Sequence, residues 1–430
     1  MIDTNNNISS NRALRWLQGF NPLCVAIALS LLMLAAIIAL KGLVYNADTP
    51  SYIGAWNGCT RHGDIDTFRT PLYPAVIGLG RLIFGQAHWA LFPLLLQTVV
   101  FYACGIPFSR MIRSVISNRR VGWFTIFLYF LFYPIVNTLN LLGTEALAFS
   151  LTSLWTYCVW RFLQRARLGY GVAIALLTLT EIMLRPSLLI LAMAIVGLAV
   201  AGVFMKKYRR QVLWLLLTLI PTGVVYKLYV DEMESRTGVS TISTVSIVNN
   251  YYMAREFNDI YPELLADNPE ALRVMQSHRK EGDRLSEQYI LMQYTEFDIL
   301  VDSCIMNYSD IDRYAARVKH EHPDVWYSNI MKRIVDSFHA QGPVKNICND
   351  LVVMLYTIAF VAIWIVRRRF SLVNFLILML GGGSLLSVLL YAQNDFGRLM
   401  LPTSAILILM GGQLIDYTVN FLRNKLPRKL

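Results

Sequence analysis

Six ionisable residues stand out because each lies beside a long apolar run: Asp48, Arg69, Glu145, Arg185, Asp395 and Arg398. A carboxylate in such a place can act as a general base toward a hydroxyl, and a guanidinium can grip a phosphate through two parallel hydrogen bonds. Together they suit a reaction that removes a proton from a hydroxyl while a phosphate-linked group departs. Each residue also has a plainer reading. Asp48 could cap a helix opening at Pro50, and Arg69 could snorkel from an interface. Glu145 suits the first turn of a helix, and Arg185 suits an interfacial turn. Asp395 and Arg398 could form a surface ion pair of small worth.

The elements that must position these residues follow from composition. The chain has 430 residues, 55% apolar and 16% charged, against about 25% charged in soluble domains. This is a membrane protein's composition. Runs of spanning length occur at 24–44, 88–108, 121–139, 144–162, 170–184, 186–205, 211–230, 349–366, 370–391 and 399–421. The first follows Arg12 and Arg15, yet it is too long for a signal peptide's apolar core and reads as a retained anchor. The predicted fold is therefore all-α and polytopic, with about ten spans.

Charge sets the orientation. The net charge is +11, but residues 231–347 hold 19 acidic and 12 basic residues, leaving +18 on the rest of the chain. Those cations sit in short clusters between apolar runs rather than on a continuous basic face, so nucleic acid is a poor partner. Ten spans with both termini in the cytoplasm place every cluster on the cytoplasmic side, as short loops rich in Lys and Arg require. The six ionisable residues then share the opposite side. Pro186 sits within 170–205 and disfavours helix at Arg185, which predicts a turn there between two short spans.

Three parts follow. Residues 1–230 form an N-terminal transmembrane module, 231–347 an extracytoplasmic and mostly helical section, and 348–430 the C-terminal spans. The first outer loop, 45–87, is expected to hold two interfacial helices, one from Pro50 to about Trp56 and one opening at Pro71. Helices are also expected from Pro262 to about Lys280 and from Pro323 to about Ala340. One or two carboxylates could recruit a divalent cation, but no metal-ligand set is evident. His320 and His322 are placed by helical periodicity on different faces, and nothing fixes His62 or His339. Cys59, Cys304 and Cys348 lie where a disulfide is allowed. Gly381, Gly382 and Gly383 read as close helix packing.

One stretch is more specific. DTPSYIGAWNGCTRHGDIDTFRTPLYPAVIGLGRLIFG resembles the first extracytoplasmic loop of the GT-C superfamily of membrane glycosyltransferases, which includes the protein O-mannosyltransferases and the lipid A aminoarabinose transferase. The matching residues are Asp48, Tyr52, Gly63, Arg69-Thr70-Pro71-Leu72-Tyr73-Pro74 and Phe84-Gly85. Weaker echoes follow in Gly143-Thr144-Glu145-Ala146-Leu147, Leu184-Arg185-Pro186 and Gly397-Arg398-Leu399-Met400-Leu401-Pro402, where Leu399 replaces the usual aromatic. The resemblance implies a polyprenyl-phosphate-linked sugar as donor and a glycan, lipid or protein acceptor, at the outer face of a cytoplasmic membrane. It implies Asp48 as the base of an inverting transfer and Arg69, Arg185 and Arg398 on the donor phosphate. Tyr52, Tyr73, Glu145 and Asp395 would position substrate. The other readings are a transporter or flippase of a polyprenyl-linked glycan, and a surface-polysaccharide polymerase or ligase.

Overall fold

The computed structural model of the chain describes residues 21–46, 48–255, 260–278, 287–339, 357–358, 361–362, 371–391 and 396–425. Helices dominate, and the fold is that of an all-α polytopic membrane protein. Among the described residues, six helical stretches are long and apolar enough to cross a bilayer: Pro22–Lys41, Leu91–Val115, Arg119–Thr138, Pro186–Val203, Arg209–Thr237 and Arg398–Arg423. Leu168–Leu184 and Leu372–Leu386 are shorter apolar helices. The expected span at 349–366 lies outside the described residues except for 357–358 and 361–362.

The N-terminal half contains α1 (Pro22–Lys41), α2 (Thr49–His62), α3 (Leu72–His88), α4 (Leu91–Val115), α5 (Arg119–Phe130), α6 (Tyr133–Thr138), α7 (Glu145–Gln164) and α8 (Leu168–Leu184). Helix α7 is the hub. It packs between α4 and α8, and its buried residues, Phe149, Trp155 and Phe162 among them, are distributed all round it, as expected for a helix enclosed by others. Two short parallel strands, β1 (Val44–Tyr45) and β2 (Leu141–Leu142), join the end of α1 to the approach of α7. The Thr49 hydroxyl reinforces this by donating to the Leu142 carbonyl at 2.8 Å.

The first outer loop forms two helices, as expected, but α2 runs past Trp56 to His62. It stops at Gly63, whose φ of +69° is a left-handed cap that favours glycine. At Arg185 the backbone is extended (φ −154°, ψ 110°) between α8 and a 3₁₀ turn, Pro186–Leu189. The chain continues through α9 (Ile190–Val203), α10 (Arg209–Leu217) and α11 (Leu219–Thr237).

A second apolar core lies in the acidic section. It is built by α12 (Val245–Arg255), α13 (Pro269–Ser277), α14 (Glu287–Asp302), α15 (Tyr308–Glu321) and α16 (Pro323–His339). The helix expected from Pro262 splits into a 3₁₀ turn, Pro262–Leu265, and α13, because Asn268 caps a new helix at Pro269. In α15, Ile311, Tyr314, Ala315 and Val318 face inward at helical spacing. Arg255 and Glu296 form an ion pair of 2.6 Å, buried to 3% and 2% exposure, and the Tyr251 hydroxyl also donates to Glu296.

The remaining described elements are α17 (Leu372–Tyr391), α18 (Phe396–Met400) and α19 (Ser404–Lys425), with the 3₁₀ turn Leu401–Thr403 between the last two. A Cβ on Gly383 would stand 2.9 Å from Ile190 Cδ1, so that glycine permits close helix packing.

Candidate active site

Five of the six ionisable residues meet in one cluster, although they come from four separate connections. Asp48 occupies the N-cap position of α2, yet its side chain makes no capping hydrogen bond. Its carboxylate pairs instead with two arginines: Oδ1 lies 2.7 Å from Arg69, and Oδ2 accepts from Arg398. Arg398 Nε also lies 3.0 Å from Glu145 Oε1, and Arg185 stands 3.3 Å from that same oxygen. The result is a chain of alternating charge, Arg69–Asp48–Arg398–Glu145–Arg185, with Arg398 bridging both carboxylates. Three guanidiniums against two carboxylates leave one positive charge.

Exposure divides the cluster. Asp48, Arg69 and Arg398 are 22%, 17% and 29% exposed at their side chains, whereas Glu145 is 2% exposed. The first three are therefore open to a ligand, and Glu145 with Arg185 forms the floor. Burial pushes the Asp48 carboxyl upward, but the neighbouring Arg69 and Arg398 charges outweigh it and hold the carboxyl below the ordinary aspartate value.

Arg69 is held from several directions. Its guanidinium lies over the rings of Tyr52 and Phe68, each centroid 4.7 Å away, and its Nε donates to the Ser51 hydroxyl at 2.8 Å. The Asp66 carboxylate accepts from the Phe68 and Arg69 amides. On the far side the acidic section holds the same loop, because Ser243 Oγ donates to the Phe68 carbonyl at 2.6 Å and the Thr244 amide donates to the Thr67 carbonyl at 2.9 Å. The Thr70 hydroxyl lies 3.5 Å from the Leu184 carbonyl, linking the Arg69 loop to the Arg185 turn.

Tyr52 and Tyr73 meet edge to face with centroids 4.8 Å apart. Tyr73 is fully buried, and its hydroxyl donates to Gln97, whose amide donates to the Leu139 and Leu141 carbonyls. Tyr73 thus supports Tyr52, and Tyr52 supports Arg69. Burial raises both phenols above their usual value. Asp395 lies outside the described residues.

Several residues at the site went unnoticed in the sequence. Asn46 accepts from Arg398 at 3.3 Å, and Ser51, Phe68 and Gln97 act as described. Asp66 alone carried a local signal, because Asp often accepts from amides two and three residues on. Below the site, α7 and α8 are joined by three polar rungs: Glu145–Arg185, Thr152–Glu181 at 2.7 Å and Trp155–Thr178 at 2.8 Å.

Among the described residues, no group of three His, Cys, Asp or Glu side chains gathers as a metal site. His322 stacks on Tyr261 at 3.8 Å and lies 3.0 Å from Glu263. Cys59 and Cys304 are free thiols, and Cys348 lies outside the described residues.

No family model matches the chain, and no curated protein matches it. Among solved structures it is similar to the crystal structure of the oligosaccharyltransferase of Archaeoglobus fulgidus, obtained in complex with zinc and sulfate. Identity is 11% and the TM-score 0.50, over 94% of this chain and 49% of that one. The chain thus spans about half the length of that GT-C enzyme, and the likeness is one of fold.

Proposed function

We propose that the protein is a GT-C-type glycosyltransferase that moves a sugar from a polyprenyl-phosphate carrier to an acceptor hydroxyl, with inversion. The observation that carries this reading is Asp48 flanked by Arg69 of the same outer loop and by Arg398 from a distant connection. In the reaction Asp48 accepts the hydroxyl proton, and the acceptor oxygen forms a bond to the anomeric carbon. The bond from that carbon to the phosphate oxygen breaks, with its electron pair leaving on the carrier phosphate. A sugar phosphodiester carries one negative charge, matching the single excess positive charge of the cluster, and the departing phosphate gains another. Guanidiniums fixed before the reaction stabilise that developing charge without reorganisation.

Asp48 is suited to the base role because its arginine partners keep it ionised. When the donor phosphate draws Arg69 and Arg398 toward itself, the carboxylate loses part of its pairing and becomes a stronger base. Arg185, on the buried floor, acts through Glu145 and Arg398. Arg398 already joins the two carboxylates, and no third His, Cys, Asp or Glu side chain gathers with them among the described residues. The zinc in the neighbour's crystals keeps a divalent cation possible for the fold.

The cation distribution supports both termini in the cytoplasm of a bacterial-type inner membrane, with the cluster on the outer face. The acceptor would then be a glycan, lipid or protein met at that face, beside an extracytoplasmic section at 231–347. The test is to supply the purified protein with lipid-linked donors. Release of free polyprenyl phosphate is expected. Release of polyprenyl pyrophosphate would instead indicate a polymerase or ligase, and no release with movement of the intact donor would indicate a transporter. Asp48→Asn is expected to insert normally and lose at least about 10²-fold in turnover.

A further inference from the structure

A second charged feature lies at the opposite end of the bundle from the candidate active site, where α9 turns into α10. Lys206, Arg209, Arg210, Leu213, Trp214 and Leu217 line an open groove of about 510 Å³, within the ~300–1,000 Å³ range of ligand-sized sites. Arg210, Leu213, Trp214 and Leu217 follow the spacing of a single helix face, with the cations gathered at its head.

Two observations identify the occupant. First, these charges are uncompensated. Arg69, Arg185, Arg236, Arg255, Arg317 and Arg398 all stand beside carboxylates. By contrast, no acidic residue occurs between Glu181 and Asp231, and no ion pair is formed by Lys206, Arg209 or Arg210 among the described residues. Second, the groove opens onto an apolar surface. Leu213, Trp214 and Leu217 are 46%, 52% and 49% exposed, and further along the chain Ile220, Val224 and Leu228 are more than half exposed. A soluble anion would use only the cations. A molecule with a phosphate head and hydrocarbon tails would use the whole stripe.

We infer that this groove binds an anionic phospholipid, with its phosphate held by Lys206, Arg209 and Arg210 and an acyl chain laid along Trp214 and Leu217. The inference stands independently of the proposed transferase reaction. The membrane's own lipid supplies the charge that the protein lacks there, and the bound molecule ties the α9–α10 turn to its leaflet.

The test is a titration of the full-length protein in mixed micelles of phosphatidylcholine with increasing phosphatidylglycerol, counting retained lipids by native mass spectrometry. One phosphatidylglycerol is expected to persist. Arg209→Gln/Arg210→Gln should raise the fraction needed for half-occupancy at least about tenfold, since each cation beside an anionic headgroup contributes on the order of a factor of five. Arg119→Gln/Arg120→Gln, which removes two exposed cations without touching the groove, should leave retention unchanged. Equal losses in both double variants would mean diffuse attraction and overturn the assignment. So would full competition by millimolar glycerol phosphate, which would mark a soluble-anion site. If the groove double variant does not fold, Lys206→Gln in the same titration decides, and unchanged retention there would also overturn the site.

Discussion

At the scale of single residues, the candidate site is governed by what surrounds Asp48. Its two arginines lower the carboxyl below the ordinary value of 3.8. In the proposed reaction Asp48 is the base and works only when unprotonated, so activity should fall as pH drops through that lowered value, with the acid limb of kcat/KM below the ordinary aspartate range. Arg398→Gln should move the limb upward, and a limb that stays in place would remove Arg398 from the electrostatics of the base. The same depression makes the ion pairs a source of stability above the unfolded-state pKa, lost as pH falls through the folded one. The gathering of Asp48, Arg69, Glu145, Arg185 and Arg398 was legible in the sequence because a charge beside an apolar run is costly and is usually paired. Ser51, Phe68 and Asn46 were not. Uncharged or apolar residues become site residues only when the backbone brings them to a guanidinium, and no spacing rule records that path.

At the scale of elements, the loop that carries Arg69 is fastened to the acidic section as well as to the membrane helices. The Ser243 hydroxyl and Thr244 amide hold the Phe68 and Thr67 carbonyls, and the Phe68 ring lies under Arg69. Ser243→Ala should therefore loosen Arg69 and raise KM for the lipid-linked donor several-fold, with kcat altered less than twofold, as expected for the loss of one hydrogen bond of about 1 kcal/mol. Ser243→Thr, which keeps the hydroxyl, should restore KM. A purely structural role would lower the amount of folded protein and leave KM untouched. Helix existence was largely legible from apolar runs and proline positions, but helix ends were not. The α2 helix overran Trp56 because its stop is Gly63, at the far end of an ambiguous polar stretch. The segment from Pro262 divided because Asn268 and Pro269 together begin a new helix. Both stops depend on backbone geometry at a single residue.

At the scale of the whole molecule, two apolar cores are joined through the Arg69 loop. The acidic section's own core depends on Arg255, Glu296 and Tyr251, a pairing that no sequence pattern announced because its members are 41 and 45 residues apart. Replacing Glu296 by Ala removes the carboxylate counter-charge of the buried Arg255 guanidinium and is expected to destabilise that section by about 3–5 kcal/mol. Limited proteolysis should then cut within 231–347 before the membrane helices, and simultaneous loss of both parts would show that they unfold as one. Convergence also acts over the full chain, since Asp48 and Arg398 stand 350 residues apart and meet only in the folded protein. A double-mutant cycle with Asp48→Asn and Arg398→Gln, read as kcat/KM for release of free polyprenyl phosphate, measures whether the two act as one unit. The account predicts a double variant within about threefold of Asp48→Asn alone; losses that simply multiply would contradict it.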